Sequence, residues 1–393
     1  MISPGSGDTA GERERWRLGI DARALVLVTA ALIAFGLATL YSASAFEAVA
    51  HKHGSAYFLL NQLVGVCAGV VLFAVAAKVD AEWWRSHAWL VMGLALLLML
   101  VTVLPFTYAI APPILGSRRY LFRGSVQPSE FAKLAVVVWT SMLAVKKGDE
   151  LRRLGKGLAP ILLVIGALDV MALLEPDFST VLFFSLQMAV IVFAAGARIG
   201  HFVLLGALSI PLLWREMQHL QYVMQRLLGF GDMANAAHAT VNYQLRQSLI
   251  AVGSGGMFGA GYGEGRQQNG FLPLSYDDFI AGSIGEEWGF VGMALLIMLF
   301  ALWGWLGFRI ARQARTPFQQ LVAIGTTVTL VVTAYLHIGV VIGLLPTTGL
   351  TLPFVSYGRS NLLLSMLMTG IVVNIGSTRE RVFGTPWINS AIL

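Results

Sequence analysis

Apolar residues along the chain come in long blocks, not in the alternation of a half-buried strand. A helix needs about 20 mostly apolar residues to cross a ~30 Å hydrocarbon core. Ten blocks read that way: 24–46, 57–77, 88–106, 127–146, 158–174, 178–196, 199–215, 279–308, 319–345 and 358–376. Backbone polar groups in lipid have to be satisfied within the segment, so the blocks are expected to be helices, and none has the pattern of a membrane barrel. The predicted fold class is an all-α polytopic membrane protein of about ten transmembrane helices, 23–377, between tails at 1–22 and 378–393.

The polar intervals are short with one exception. Residues 216–278 form a long connection, which is usual only for functional or disordered segments, and it is not of low complexity. Met217, Leu220, Met224, Leu227 and Leu228 recur at helical spacing, with Gln218, His219, Gln221 and Arg226 between them. This predicts an amphipathic helix on the outer membrane surface, and Tyr243–Val252 predicts a second. Gly253, Gly255, Gly256, Gly259, Gly261, Gly263, Gly265 and Gly270 then crowd together. The stretch lacks the Gly-Lys-Ser/Thr ending of a nucleotide-binding loop, so mobility and close packing are its expected uses.

Composition narrows the class further. The chain is 56% hydrophobic and 12% charged, against about 25% charged in soluble domains, which excludes a water-soluble enzyme and intrinsic disorder alike. The lone Cys67 excludes an intramolecular disulfide framework and a cysteine metal cluster. No run is basic enough to imply nucleic acid as a partner. Met1–Asp21 lacks the apolar core and cleavage site of a secretory signal, so the first block is expected to remain as the first span. With the termini and even-numbered loops taken as one side, seventeen Lys and Arg lie there against nine opposite, Lys133 being left inside a span. That asymmetry places both termini in the cytoplasm of a plasma membrane.

Ionisable groups inside or at the edge of a span are functional candidates by default. Glu130 and Lys133 lie three residues apart at the start of the fourth block, behind Gln127 and Pro128. They read equally as a local ion pair at a helix start. Asp277 and Asp278 stand before the eighth block, where an Asp serves as a helix cap. Two adjacent acids exceed one cap, however, and a carboxylate at the outer boundary is placed to take a proton from an attacking hydroxyl. Glu286 and Glu287 follow within that block, where structural pairing is the plainer reading. Arg118, Arg119 and Arg123, in the outer loop before the fourth block, suit phosphate oxygens or anionic lipid. Asp169 reads as a proton relay or as a satisfied interior group, and His51 and His53 as a solvated loop.

Taken in order, the motifs resemble the SEDS family of bacterial membrane glycosyltransferases, the FtsW and RodA proteins. They are Tyr41-Ser42-Ala43-Ser44, Gly116-Ser117-Arg118-Arg119, Gln127-Pro128-Ser129-Glu130 with Lys133, and Glu175-Pro176-Asp177-Phe178-Ser179-Thr180. Next come Tyr243-Gln244 with Gln247-Ser248-Leu249-Ile250-Ala251, Asp278-Phe279-Ile280-Ala281 and Gly285-Glu286-Glu287-Trp288-Gly289. Leu345-Pro346-Thr347-Thr348-Gly349-Leu350 and Leu352-Pro353-Phe354-Val355-Ser356-Tyr357-Gly358 complete the series. The resemblance implies inverting polymerisation of lipid II into glycan strands at the outer face, with undecaprenyl pyrophosphate leaving. It puts the family's essential carboxylate on Asp278 and its Glu/Lys pair on Glu130 and Lys133. Arg118, Arg119, Gln127, Asp277, Ser356 and Arg359 are the expected substrate-binding residues.

The resemblance also implies partners: lipid II and undecaprenyl-linked glycan, a class B penicillin-binding protein, and other membrane proteins of the divisome or elongasome. No cofactor is assigned with certainty; a divalent cation, Mg or Mn, is the candidate, since it would help a pyrophosphate leave. Tyr41–Ser44 and Leu345–Leu350 look more like the FtsW branch, which points to septal synthesis in division, with elongation as the other role. The sequence departs from the family where Tyr276 and Asp277 replace His and Thr, where Glu175 replaces Gln, and where Arg359-Ser360-Asn361 replaces Gly-Ser-Ser. A lipid II flippase or transporter without polymerase activity is the alternative, since interior charges also mark transport paths.

Overall fold

A computed structural model describes residues 13–113, 118–122, 124, 126–219 and 242–382. Helices stand at all ten expected positions. They are α1 (Ile20–Ala50), α2 (Tyr57–Lys78), α4 (Ala88–Val103), α5 (Pro128–Lys147), α6 (Ala159–Leu174), α7 (Phe178–Ala194), α8 (Ile199–His219), α10 (Ile280–Arg312), α11 (Pro317–Val341) and α12 (Arg359–Ile375). The short α3 (Ala81–Ser86) precedes α4, and α9 (Tyr243–Ser254) lies in the long connection. Six segments are long and apolar enough to cross a membrane: 20–50, 57–78, 128–152, 154–174, 280–312 and 317–341. Helices α4, α7 and α12 are apolar but shorter.

Their packing follows from which residues are small. Helix α5 is the axis of the bundle, with 89% of its apolar window buried; α4, α7 and α11 pack around it. Helix α12 lies along α2 at backbone-to-backbone range. A Cβ on Gly69 would stand 2.3 Å from the Met366 sulfur, and one on Gly370 would stand 2.6 Å from the Phe73 carbonyl. Small residues permit this approach, and van der Waals packing holds helices together where no hydrophobic force does.

Two features depart from the sequence reading. The tails are not wholly helical or irregular: Arg13–Leu18 (β1) and Ser377–Val382 (β2) form a two-stranded antiparallel ribbon, with Leu18 opposite Ser377. Just beyond it, the Gly19 amide donates to the Gly376 carbonyl at 3.2 Å. In addition, α8 continues through Met217 to His219, past its expected end at 215. The amphipathic helix expected around Leu220–Leu228 lies outside the described residues, whereas the piece expected at Tyr243–Val252 is α9. It docks on α10 and α11, Ser248 donating to the Val341 carbonyl at 2.9 Å.

Candidate active site

Helix α10 is broken at Gly289, whose φ of 64° is a left-handed conformation that favours glycine. The break leaves amides and carbonyls that a continuous helix would have paired. The glycine-rich segment after α9 supplies the missing partners. The Phe290 and Val291 amides donate to the Gly256 and Met257 carbonyls at 2.9 and 3.1 Å. In return, the Ala260 and Gly261 amides donate to the Glu286 and Glu287 carbonyls at 2.9 and 3.2 Å. A Cβ on Gly255 would sit 1.9 Å from the Gly285 oxygen, and one on Gly259 would sit 2.0 Å from that of Glu287. The glycines therefore serve close approach, one of the two uses expected of them.

Both carboxylates beside the break are committed to the same segment. Glu286 accepts from the Arg266 amide at 2.8 Å and from the Gln267 amide. Glu287 accepts from Ser42 of α1, from Gln268 Nε2 at 2.7 Å and from the Gly263 amide at 3.0 Å. Each is buried and each holds the loop against the bundle, so structural pairing is their role here.

The chain then turns through 271–279 and enters α10, bringing Asp277 and Asp278 to the end of the bundle opposite the tails. The N-cap of α10 is Phe279, which makes no side-chain capping bond. Asp278 stands one residue further out. It lies against the 345–358 turn, where a Cβ on Gly349 would be 3.6 Å from its Oδ2. The Oδ1 of Asp277 is enclosed without a hydrogen-bond partner. Burial first, and then the charge of Asp278, pushes the Asp277 carboxyl well above the ordinary range. Burial and these two acids also raise the Tyr120 phenol, which shares this corner with Asp177 and Arg119.

Around the acids, several candidate residues serve the protein's own backbone. Ser356 donates to the Asp277 carbonyl at 2.7 Å and accepts from the Leu352 amide at 2.9 Å, tying the 345–358 turn to the acid pair. Arg118 gives its guanidinium to the Ala111 carbonyl at 3.0 Å, the Leu104 carbonyl at 2.8 Å and Thr107 Oγ1 at 2.8 Å. Arg119 donates to the Glu175 carbonyl at 3.1 Å and to that of Pro176, and lies 3.8 Å from Asp177. The backbone amide of Gln127 donates to Ser360 Oγ at 3.0 Å. Arg359 differs from these: it is exposed, on the first turn of α12 at the same lip. Arg123 lies outside the described residues.

Glu130 and Lys133 are apart from the acids, inside the bundle. Their 2.6 Å ion pair is buried, beside a small cavity lined also by Thr329, Thr333, Pro353, Asn361 and Ser365. The 345–358 turn separates the two sites and touches both. Asn361 beside the cavity donates to Thr351, two residues from the Gly349 that faces Asp278. His337, which the sequence reading passed over, anchors the same turn, its Nδ1–H donating to the Leu350 carbonyl at 2.7 Å. As an ionisable group within an apolar block it was open to detection by the rule that found Lys133; Tyr120 carried no such signal. Among the described residues, no group of three or more His, Cys, Asp or Glu is arranged to hold a metal ion.

Residues 22–381 match the model of the FtsW, RodA and SpoVE family, described as cell cycle proteins. A probable peptidoglycan glycosyltransferase FtsW of Trichlorobacter lovleyi is 34% identical over 367 residues, 93% of this chain and 95% of that one. Stage V sporulation protein E of Bacillus subtilis is 33% identical over 353 residues, 89% of this chain and 95% of that one. Among solved structures, a chain of a peptidoglycan synthase complex that coordinates polymerization and crosslinking superposes with a TM-score of 0.73 at 24% identity, over 90% of this chain and 97% of that one. The rod shape determining protein RodA of Thermus thermophilus gives 0.64 at 24% identity, over 90% and 95%. The chain described here is a member of the FtsW/RodA/SpoVE family, with the fold of RodA.

Proposed function

We propose that this protein polymerises lipid II into glycan strands at the outer face of the plasma membrane, with Asp278 as general base. Family membership carries the reaction class, peptidoglycan glycosyl transfer, and the FtsW-like relatives favour the septal role in division. The observation that carries the assignment of Asp278 is its position. It is an acid at the mouth of the bundle, one residue outside the N-cap of α10, next to a carboxyl that burial pushes well above the ordinary range. In the reaction, the Asp278 carboxylate accepts the proton of the acceptor hydroxyl as that oxygen attacks the anomeric carbon of the donor. The bond to the diphosphate breaks on the opposite face, and the configuration inverts. Arg359, an exposed cation on the first turn of a helix, is suited to the departing diphosphate, since helix N-termini and guanidinium groups both favour such anions. Arg118, Arg119 and Ser356 shape the lip, and the Glu130–Lys133 pair braces the turn beneath it.

The orientation and span count belong to the same proposal. Ten helices at the ten expected positions, with the tails meeting at one end, fit an even number of crossings, both termini cytoplasmic and the acid pair outside. A class B penicillin-binding protein is the expected partner, as the similarity to a chain of a synthase complex supports. The assignment of Asp278 is tested by purifying Asp278→Asn, verifying its fold by thermal melting, and supplying lipid II. Polymer yield is expected to fall at least about a hundredfold, the lower range for loss of a general base; a full yield removes Asp278 from the mechanism.

A further inference from the structure

The lip that carries the acids also carries an aromatic cluster, which the chemistry above does not use. Phe58, in the first turn of α2, has its ring centroid 4.6 Å from that of Tyr276 and 5.1 Å from that of Tyr357. The two tyrosines are 5.9 Å apart. Phe58 meets Tyr357 at 88° and Tyr276 meets Tyr357 at 70°, edge to face, while Phe58 and Tyr276 are tilted by 33°. All three are half-buried. Their backbone is fixed, the Tyr357 amide donating to the Tyr276 carbonyl at 3.0 Å.

The hydroxyls separate this cluster from ordinary packing. A tyrosine buried for its ring alone brings its O–H to a partner. Neither Tyr276 nor Tyr357 has a hydrogen-bond partner for its hydroxyl among the described residues, and neither oxygen is enclosed. Three acids, Glu47, Asp277 and Asp278, act on Tyr276, and the Arg359 cation acts on Tyr357. Burial and these acids push the Tyr276 phenol up to about 12, so it stays a neutral donor near pH 7. An apolar ring surface, free hydroxyls and a carboxylate rim match one ligand chemistry well. A pyranose presents a C–H face to aromatic rings and hydroxyls to carboxylates. A bare lipid chain has no use for the acids, and a diphosphate would be repelled from the Tyr276 side, where they stand.

We propose that Phe58, Tyr276 and Tyr357 form a saccharide subsite, which holds the sugar ring whose hydroxyl faces Asp278. The inference rests on the reading of the Asp278 lip as the site of glycan synthesis, and it adds the surface that seats the acceptor. Tyr276, where the family has His, makes this surface a specific property of the present sequence. The ring that stacks here fixes which hydroxyl reaches the base, so the cluster acts on binding and not on the bond-making step.

The test uses the full-length protein in micelles with two separate readouts. In lipid II polymerisation, Tyr276→Leu and Phe58→Leu keep apolar bulk but lose the aromatic face. Each is expected to raise KM about three- to tenfold with kcat within about twofold, while Tyr276→Trp stays near wild type. In saturation-transfer NMR with a soluble β-1,4-linked N-acetylglucosamine oligosaccharide, wild type and Asp278→Asn are expected to transfer magnetisation to the sugar, and Tyr276→Leu to lose most of it. If wild type makes no polymer yet sugar contact still depends on Tyr276, the polymerase reading fails and the subsite stands. Equal KM and equal transfer in wild type and Tyr276→Leu overturn the subsite, as does a loss confined to kcat or an oligosaccharide that receives no transfer from wild type.

Discussion

A carboxyl group enclosed by apolar neighbours keeps its proton to a higher pH than it does in water, and Glu175 illustrates what this does to stability. It is 2% exposed, one oxygen accepts from Thr102, and the other has no partner. Burial raises it from 4.5 to about 8. A raised acid releases its proton more readily in the unfolded chain, so stability contributed by the neutral form is lost as pH rises from about 4.5 to about 8. Glu175→Gln, which keeps the shape without the acid, is expected to match wild type near pH 4 and to exceed it by at least about 1 kcal/mol at pH 8. Melting curves in detergent at the two pH values measure this; identical curves at pH 8 would show that the acid is not held neutral. At this scale the sequence was legible where an ionisable group stood out against an apolar block, as Lys133, Asp278 and Glu286 did. It was silent where a partner comes from far along the chain: nothing local marks Arg118 as bound to three groups of the 104–111 turn, or Ser356 as bound to Asp277.

Among the elements, the ten helices were readable because lipid permits few alternatives, and their ends were placed within a few residues for the same reason. The break in α10 was not readable, because Gly289 within an apolar run looks like any other tolerated glycine. Its meaning lies in the exchange of backbone hydrogen bonds with 256–261, nearly thirty positions earlier. The crowding of glycines in 253–270 was visible, but the surface they approach was not. Gly289→Ala is expected to destabilise the protein by about 2 kcal/mol or more, combining a left-handed conformation unsuited to alanine with a Cβ 2.3 Å from the Gly259 nitrogen. Gly253→Ala, in helical α9 with open space around its Cβ, is the control and is expected to be neutral or mildly stabilising. Equal losses for the two, measured by thermal unfolding, would show that the break is not a specific joint.

For the whole molecule, orientation is the property on which the chemistry depends, since an acid pair facing the cytoplasm could not act on an exported glycan. Charge asymmetry in the sequence predicts the orientation, and the ribbon joining the tails is consistent with an even number of crossings. With Cys67→Ser as background, single cysteines at Gly54, Asp149 and Gln313 sample the loops after the first, fourth and eighth spans. A membrane-impermeant maleimide is expected to label Gly54→Cys in intact spheroplasts, and the other two only after permeabilisation. Labelling of Gln313→Cys in intact cells would invert the proposed topology.

The contact between Gly19 and Gly376 makes the chain nearly a closed ring, since a carbonyl of the last helix turn lies 3.2 Å from the amide that opens the first. Sequence order is then only one way of cutting that ring. A short linker joining Leu18 to Ser377 would leave every helix neighbour in place, and the exposed turn at Gly54, where a side chain would meet nothing, is a place to reopen it. In such a permutant α1 would be made last, after the acid-bearing loop whose Glu287 it holds through Ser42.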